Sequence, residues 1–417
     1  MKQPDYNQKQ TSNSVFRALF LFLCSVLLTN CAADTGNVAQ GVSISPWRTL
    51  RKLADVAPSD QVALWTDGDK TLVAWPGEPA LPGIRIADVN AADNSAKNLA
   101  LGRVPRHLAM YSAADTLLHI LWLDQTLPGE THLASALITT SGEIAREPAV
   151  VSNKPTAEYS AAAAPSGDVL TAWTTSGNVS SLYLQLVDGA GRAHPSVYIA
   201  ERASYPAVAI DADGNFHVSW LEAQTEQLWT IQHITFASNA LPDSDTVHST
   251  PIGVIRLNKG EALEAYSLGS DATHIYCLWE IIGAGQDNQG QISGPRGSLG
   301  GLSFPVGTVN GAQQILNFET TDIQGTSLRW LSVAALPEPT LAVAVLLEKW
   351  DGQKWQSSPA LLPLTSERAM EPQPIFAAET EAWSKPTLAA DSNGLWYAAW
   401  MHLGADGGAT VYYASTR

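Results

Sequence analysis

An apolar strand, a turn of Asp, Gly, Asn or Ser, and a second apolar strand closing on tryptophan recur along this chain. That recurrence restricts the fold more than any other feature. The clearest copy is Tyr205 to Trp220. Val208 and Ile210 alternate with alanines, and Phe216, Val218 and Trp220 alternate with His217 and Ser219, the period of two expected of a strand. Between the two runs, Asp211-Ala212-Asp213-Gly214-Asn215 supplies residues that tolerate the positive φ of a tight hairpin.

The same unit stands at Val62–Trp75, Leu108–Trp122, Tyr159–Trp173, Ala265–Trp279 and Pro386–Trp400, with a degenerate copy lacking the tryptophan at Leu331–Leu347. The closing tryptophans step by 47, 51, 47 and 59 residues, then by 121 across the degenerate copy. Two further strand-like runs usually follow each hairpin. Four strands per period of about 50 residues is the arithmetic of a β-propeller blade. The predicted fold class is therefore all-β: a seven-bladed β-propeller of four-stranded antiparallel blades, forming one domain over 44–417. The blades fall at about 58–104, 105–154, 155–203, 204–261, 262–326, 327–383 and 384–417. After Trp400 there is room for one more strand, Ala409–Ala414, so the last blade is one strand short. The run Ile44–Val56 has no hairpin partner of its own. Its pairing with the C-terminal blade is predicted to close the ring and remove an exposed sheet edge.

The pattern Ser-x-Pro-x-Leu-Ala-x-Asp-x-x-Gly, followed by an apolar run ending in Trp, fits Ser384–Trp400 well and Ser204–Trp220 nearly so. It resembles blades of the sialidase-like and related propeller superfamily, and the resemblance spans most of 58–417. What it implies is a fold, not an activity. A sialidase would carry an arginine cluster, a Tyr/Glu pair and Ser-x-Asp-x-Gly-x-Thr-Trp boxes. No stretch matches that box, and the arginines are few and scattered.

Residues 1–17 hold Lys2, Lys9 and Arg17 against Asp5, and the apolar run Ala18–Leu28 follows. Eleven apolar residues are too few to cross a bilayer, which takes roughly 20, and the arrangement reads as a signal peptide over 1–30. Leu28-Thr29-Asn30-Cys31 resembles the lipobox of bacterial lipoproteins, with Asn30 where the family usually has Gly, Ala or Ser. The resemblance implies lipidation at Cys31, a membrane anchor, and a location in the bacterial cell envelope facing the periplasm or exterior. Two or more acyl chains anchor stably where one is marginal. The small, polar residues 32–43 read as a tether. Removing three basic residues and one acid would take the net charge from −16 to −18. Such a surface repels phosphate backbones, which excludes nucleic acid as a partner. Cys24 lies in the signal segment, and Cys277 alone stands in the domain, so no internal disulfide is expected.

The loops after the tryptophan strands and those leading into each blade are predicted to share one face. Asp124, Glu222, Glu280 and His402 follow closing tryptophans and are the candidate binding residues of that face. No catalytic residue is assigned. His119, His217 and His274 lie in different blades and are read as satisfied or surface histidines, so no metal is expected. Gly-x-Ser-x-Gly, His-Glu-x-x-His and phosphate-binding glycine loops are missing, and no cofactor is expected. The glycine-rich segment Ile282–Gly301 reads as a long loop over the binding face. Trp47, Trp229, Trp330, Trp350, Trp355, Trp383 and Trp396 lie outside the closing positions and read mostly as packing residues. The sequence thus points to a monomeric, membrane-anchored binding or scaffold lipoprotein for an envelope protein or glycan. A glycan-active hydrolase or lyase is the alternative.

If Cys31 carries the anchor, Cys31→Ser is expected to move the protein from the membrane fraction to the soluble fraction. Unchanged fractionation, with no acyl label on the wild type, would exclude the lipobox reading.

Overall fold

The computed structural model describes residues 47–58, 61–91, 95–127, 129–238, 241–243, 247–286, 292–307, 314–316, 326–335, 341–350, 355–375, 384–404 and 407–417. Cys31, the signal segment and the tether lie outside them. Among the described residues all regular structure is β: seven four-stranded antiparallel sheets form a seven-bladed propeller.

Strands are numbered along the chain. β1 is Thr49–Val56. Blade 1 is β2 (Ala63–Thr66), β3 (Thr71–Pro76), β4 (Gly83–Asp88) and β5 (Lys97–Ala100). Blade 2 is β6 (Arg106–Ser112), β7 (Leu117–Leu127), β8 (Glu130–Thr139) and β9 (Ile144–Val150). Blade 3 is β10 (Thr156–Ala163), β11 (Val169–Thr175), β12 (Ser181–Val187) and β13 (Val197–Glu201). Blade 4 is β14 (Ala203–Ile210), β15 (Asn215–Thr225), β16 (Leu228–Ala237) and β17 (Thr250–Arg256). Blade 5 is β18 (Ala262–Ser270), β19 (His274–Gln286), β20 (Ile292–Pro305) and β21 (Gln314–Ile315). Blade 6 is β22 (Thr326–Ala335), β23 (Leu341–Trp350), β24 (Trp355–Leu364) and β25 (Gln373–Pro374). Blade 7 is β26 (Thr387–Ala390), β27 (Trp396–Leu403) and β28 (Ala409–Ser415), completed by β1 on its outer edge.

The core lies between blades. Trp122, Trp173, Trp220 and Trp400 are fully buried on the second strands. In blades 2 and 4 the tryptophan sits opposite a bulge in the first strand. The equivalent place in blade 6 is Val345, also fully buried. A smaller side chain there explains why that repeat is degenerate in sequence but regular in structure. The segment Ile282–Gly301 is not the long loop its composition suggests. β19 runs on to Gln286 and β20 starts at Ile292, pairing from Gln286↔Ile292 to His274↔Pro305. Two of its glycines have a steric cause: a Cβ on Gly300 would meet Trp279 Nε1 at 2.2 Å, and one on Gly301 would meet Leu278 Cδ2 at 2.9 Å. The indole of the closing tryptophan occupies the space a side chain would need.

The hairpins of blades 4, 5 and 7 share a clamp. One oxygen of Asp211, Asp271 or Asp391 accepts backbone N–H groups of the turn: Asn215 at 2.8 Å, His274 at 2.7 Å and Leu395 at 2.9 Å. The other oxygen accepts from an aromatic side chain on the returning strand. Tyr276 donates to Asp271 at 2.6 Å and Tyr397 to Asp391 at 2.9 Å. Blade 4 uses His217 Nε2, 3.0 Å from Asp211. His217 Nδ1 then meets His233 Nε2 at 3.1 Å. His119, three residues before Trp122, is also buried and bonds Gly167 O at 3.0 Å.

The ring closes through β1. Seven residue pairs join it to β28, from Thr49↔Ser415 to Val56↔Ala409. Asp55 accepts from Thr410 Oγ1 at 2.7 Å, and Arg417 reaches Gly68 O of blade 1 at 2.7 Å. Val56 is buried, and Leu53 and Ala54 pack against a cluster drawn from blades 7 and 1. With each backbone hydrogen bond contributing about 1 kcal/mol net, this strand holds the last blade and the first together.

Deleting residues 41–57 is expected to destabilise the whole ring, giving aggregation or rapid proteolysis, whereas deleting 32–40 leaves it folded. A domain starting at Pro58 that melts like wild type would show that closure contributes nothing. A second expectation concerns acid. Burial holds His217 below the usual histidine value and His233 down at about 3. A histidine depressed in the folded state contributes stability that is complete above its unfolded pKa of about 6.5 and is lost as pH falls towards the folded value. The melting temperature should therefore decline between pH 6.5 and about 3, and His233→Leu should flatten that slope. An identical slope in the variant would remove the pair from the acid response.

Candidate functional site

A bulge interrupts the first half of five inner strands. The register shifts between Arg106 and Ala109 in β6, Thr156 and Glu158 in β10, Ser204 and Ala207 in β14, Leu263 and Ala265 in β18, and Arg329 and Ser332 in β22. A bulge re-aims side chains and leaves ladder groups unpaired. Here the bulges sit at the end of the channel where the chain enters each blade. Two of them carry non-glycine residues with positive φ, His107 at 50° and Tyr205 at 52°. Such conformations cost about 1–3 kcal/mol each and persist where the surroundings over-determine them.

The surroundings are specific. Glu158 Oε1 accepts the Tyr205 N–H at 2.6 Å and Thr174 Oγ1–H at 3.4 Å. Tyr159 O–H donates to His107 O at 2.5 Å, and Tyr111 O–H donates back across the same blade pair to Ala161 O at 2.9 Å. Tyr205 O–H donates to Leu263 O at 2.9 Å, while Tyr266 O–H meets Ser219 Oγ at 2.7 Å. Blades 2 and 3, and blades 4 and 5, are thus joined reciprocally by tyrosines. Burial drives the phenols of Tyr111, Tyr159 and Tyr266 far up, so they remain donors. It also pushes the Cys277 thiol up to about 12, which makes it an inert core residue.

Titratable groups gather at this mouth. Burial raises the Glu158 carboxyl above its ordinary value, against the opposing pull of the Tyr205 N–H and Thr174 hydroxyl. Burial likewise raises Tyr205, and the charges of Glu158 and Glu264 raise it further. Carboxylates of two blades thus act on this phenol. Glu264, at the bulge of β18, is exposed. Lys385 stands just before β26 and is partly buried. Burial lowers its pKa and Glu280 opposes that shift.

Of the four residues expected on this face, Glu280 is fully buried and within electrostatic reach of Lys385, two blades away. The others are engaged at their own blades. Asp124 lies 3.7 Å from Arg103 Nε. Glu222 accepts Trp220 Nε1–H and Gln232 Nε2–H, each at 3.1 Å. His402 lies edge-on to Tyr412, ring centres 6.2 Å apart. Glu158, Tyr205, Glu264 and Lys385 escaped the sequence reading. A signal for two of them was present: Tyr205 and Lys385 are the variable residue of the Ser-x-Pro pattern. Proline removes a ladder donor and marks a bulge or strand start, so the residue before it stands at the rim. Among the described residues no group of three or more His, Cys, Asp or Glu could hold a metal ion.

No protein-family profile and no curated protein sequence matches the chain. Solved structures do. An ulvan lyase from a new family of polysaccharide lyases, bound to -[GlcA(1-4)Rha3S]-, is 13% identical with a TM-score of 0.53, over 86% of this chain and 94% of that one. A second structure of such an ulvan lyase gives 11% identity and a TM-score of 0.50 over the same shares. An α-L-arabinofuranosidase from Fusarium graminearum is 10% identical with a TM-score of 0.46, over 75% and 93%. At these identities the likeness is one of fold.

Proposed function

We propose that this propeller is a glycan-active enzyme whose channel mouth receives a carbohydrate chain and cleaves it by acid/base chemistry. One observation carries the reading: a carboxyl raised by burial, Glu158, supports a strained tyrosine whose phenol also feels the charge of a second, exposed carboxylate, Glu264. Two carboxyl groups in unlike environments are the arrangement used to break glycosidic bonds, the buried one giving a proton and the open one activating water or the substrate. Oε1 of Glu158 is occupied by donors, so its proton sits on Oε2. Tyr205 offers a ring face against which a sugar can stack. Glycan-active enzymes among the structures of similar fold agree with this reading. The lipobox-like Leu28–Cys31 supports its placement at the bacterial envelope, on a tether.

The test is incubation of the lipid-free domain with a panel of neutral and acidic polysaccharides, scoring new chain ends and binding in parallel. Wild type is expected to release products from at least one substrate. Glu158→Gln keeps the acceptor for the Tyr205 N–H but not the transferable proton, and should lower turnover by about 10²–10⁴-fold. Activity should also fall as pH rises through the raised Glu158 value. Binding without products would leave a glycan-binding module, the function first expected from the sequence. Full activity in Glu158→Gln would place the chemistry elsewhere.

A further inference from the structure

Among the described side chains every lysine and arginine lies exposed except Arg85 and Lys385. Lys385 feels the charge of Glu280. Arg85 has no hydrogen bond and no ion pair among the described residues. A charge drawn partly out of water without a partner costs stability, and blade 1 pairs its strands without it.

The direction of Arg85 is set by its strand. Trp75, Arg85 and Asn98 stand opposite one another on β3, β4 and β5, so they share one face of blade 1. On that face Trp75 is buried in one cluster with Val56 and Tyr413 of blade 7. Arg85 therefore looks into the seam between blades 7 and 1, which widens there into a pocket of about 280 Å³. Leu53 to Val56 of β1 form one wall and Trp75 and Arg85 the other, with Glu78 and Leu81 at the exposed rim. The pocket lies at the channel-mouth end, where β3 finishes, but on the outer side of the ring, against β1. Loop 77–83 closes on itself: Gly77 N–H donates to Gly83 O at 2.8 Å and Leu81 N–H to Glu78 O at 2.9 Å. Pro79 and Pro82 fix its φ angles, so Glu78 is held in place.

The carboxylates of the lining are Glu78 and Asp55, and neither forms an ion pair with Arg85. Asp55 is engaged by Lys52 at 2.7 Å and by Thr410 Oγ1 at 2.7 Å. Glu78, like Arg85, has no side-chain partner among the described residues. A guanidinium only donates and a carboxylate only accepts, so a molecule joining them must accept at one end and donate at the other. A simple anion or cation would satisfy one group and be repelled by the other. Sugar hydroxyls do both, and the apolar wall suits the C–H face of a sugar ring. A zwitterion also does both, but ion pairs at an open rim gain little. A dry cavity of about 150 Å³ already holds benzene, so one sugar ring with its substituents has room.

We propose that this seam pocket binds one neutral sugar residue of a glycan chain. Its hydroxyls accept from Arg85 and donate to Glu78, and its C–H face lies on the wall that β1 supplies. The site does not depend on chemistry at the channel mouth.

The test is calorimetry on the full-length protein carrying Glu158→Gln, so that no chain is cut. The probes are cello-, manno-, xylo- and galactotetraose, with glycine and acetate standing for a zwitterion and an anion. At least one tetrasaccharide is expected to bind saturably. Adding Arg85→Met should weaken one binding component by about tenfold or more, the loss expected of hydrogen bonds to a charged group. Glu78→Lys, at an exposed loop position, should do the same without touching a strand, which keeps the test sound should Arg85→Met fail to fold. No tetrasaccharide binding, isotherms unchanged in both variants, or Arg85-dependent binding of glycine or acetate would each overturn the site. Wild-type cleavage with binding independent of Arg85 would remove this pocket and keep the mouth. Arg85-dependent binding by a protein that cuts nothing would keep this pocket and remove the mouth's chemistry.

Discussion

Five inner strands break their own ladders near the channel mouth, and the backbone groups released there have to be met by the next blade. Most of the described site follows from how they are met. Tyrosine hydroxyls of β6, β10, β14 and β18 cross to neighbouring blades, and Glu158 takes up the N–H of Tyr205. Ser160 Oγ does the same for Val208 N–H at 3.1 Å. An irregularity that would weaken an isolated sheet thus becomes the bonding between sheets. The groups doing this are polar, titratable and partly accessible, so a structural necessity also furnishes chemistry. In a propeller whose blades otherwise meet through apolar faces, the inner ends of blades 2 to 5 form its polar hub.

The architecture was legible because its determinants are local and repeated. A period-two pattern, a turn of small polar residues and a closing tryptophan are enough to mark a blade, and an unpartnered strand at each end of the domain is enough to mark the closure. The site was not legible for the opposite reason. Glu158 and Tyr205 are 47 residues apart and belong to different repeats, so no window of sequence holds both. Of the residues sought after the tryptophans, Asp124 lies beside Arg103 and Glu222 accepts from Trp220 and Gln232. Glycine content misled at Ile282–Gly301, where small residues make room for Trp279 instead of loosening the chain. His217 looked like an ordinary strand histidine because its two partners come from the turn before it and from the strand after it.

The two faces of the propeller divide their labour differently. On the channel-mouth face each blade contributes something different to a shared space, and variety among the repeats is what builds the site. On the opposite face blades 4, 5 and 7 do the same thing, an aspartate clamping its own hairpin, and a departure from that uniformity is what draws notice. Blade 4 departs by replacing a phenol with an imidazole, which has a second nitrogen and so passes polarity onward. One change of side chain turns a closed hydrogen-bond pair into an open-ended one.

The pairing of Thr49 with Ser415 also sets an order in time. A ribosome adds roughly 5–20 residues per second, so β1 waits on the order of 20–70 s for its partner strand to be synthesised. For that interval both faces and both edges of the strand are uncommitted, and blade 1 lacks the neighbour that covers it. Half of the residues of β1 lie exposed even in the finished ring, with Arg51 and Lys52 among them. A strand that must stay single so long is better polar than greasy. Its weak apolar content suits the nascent chain as much as the folded one.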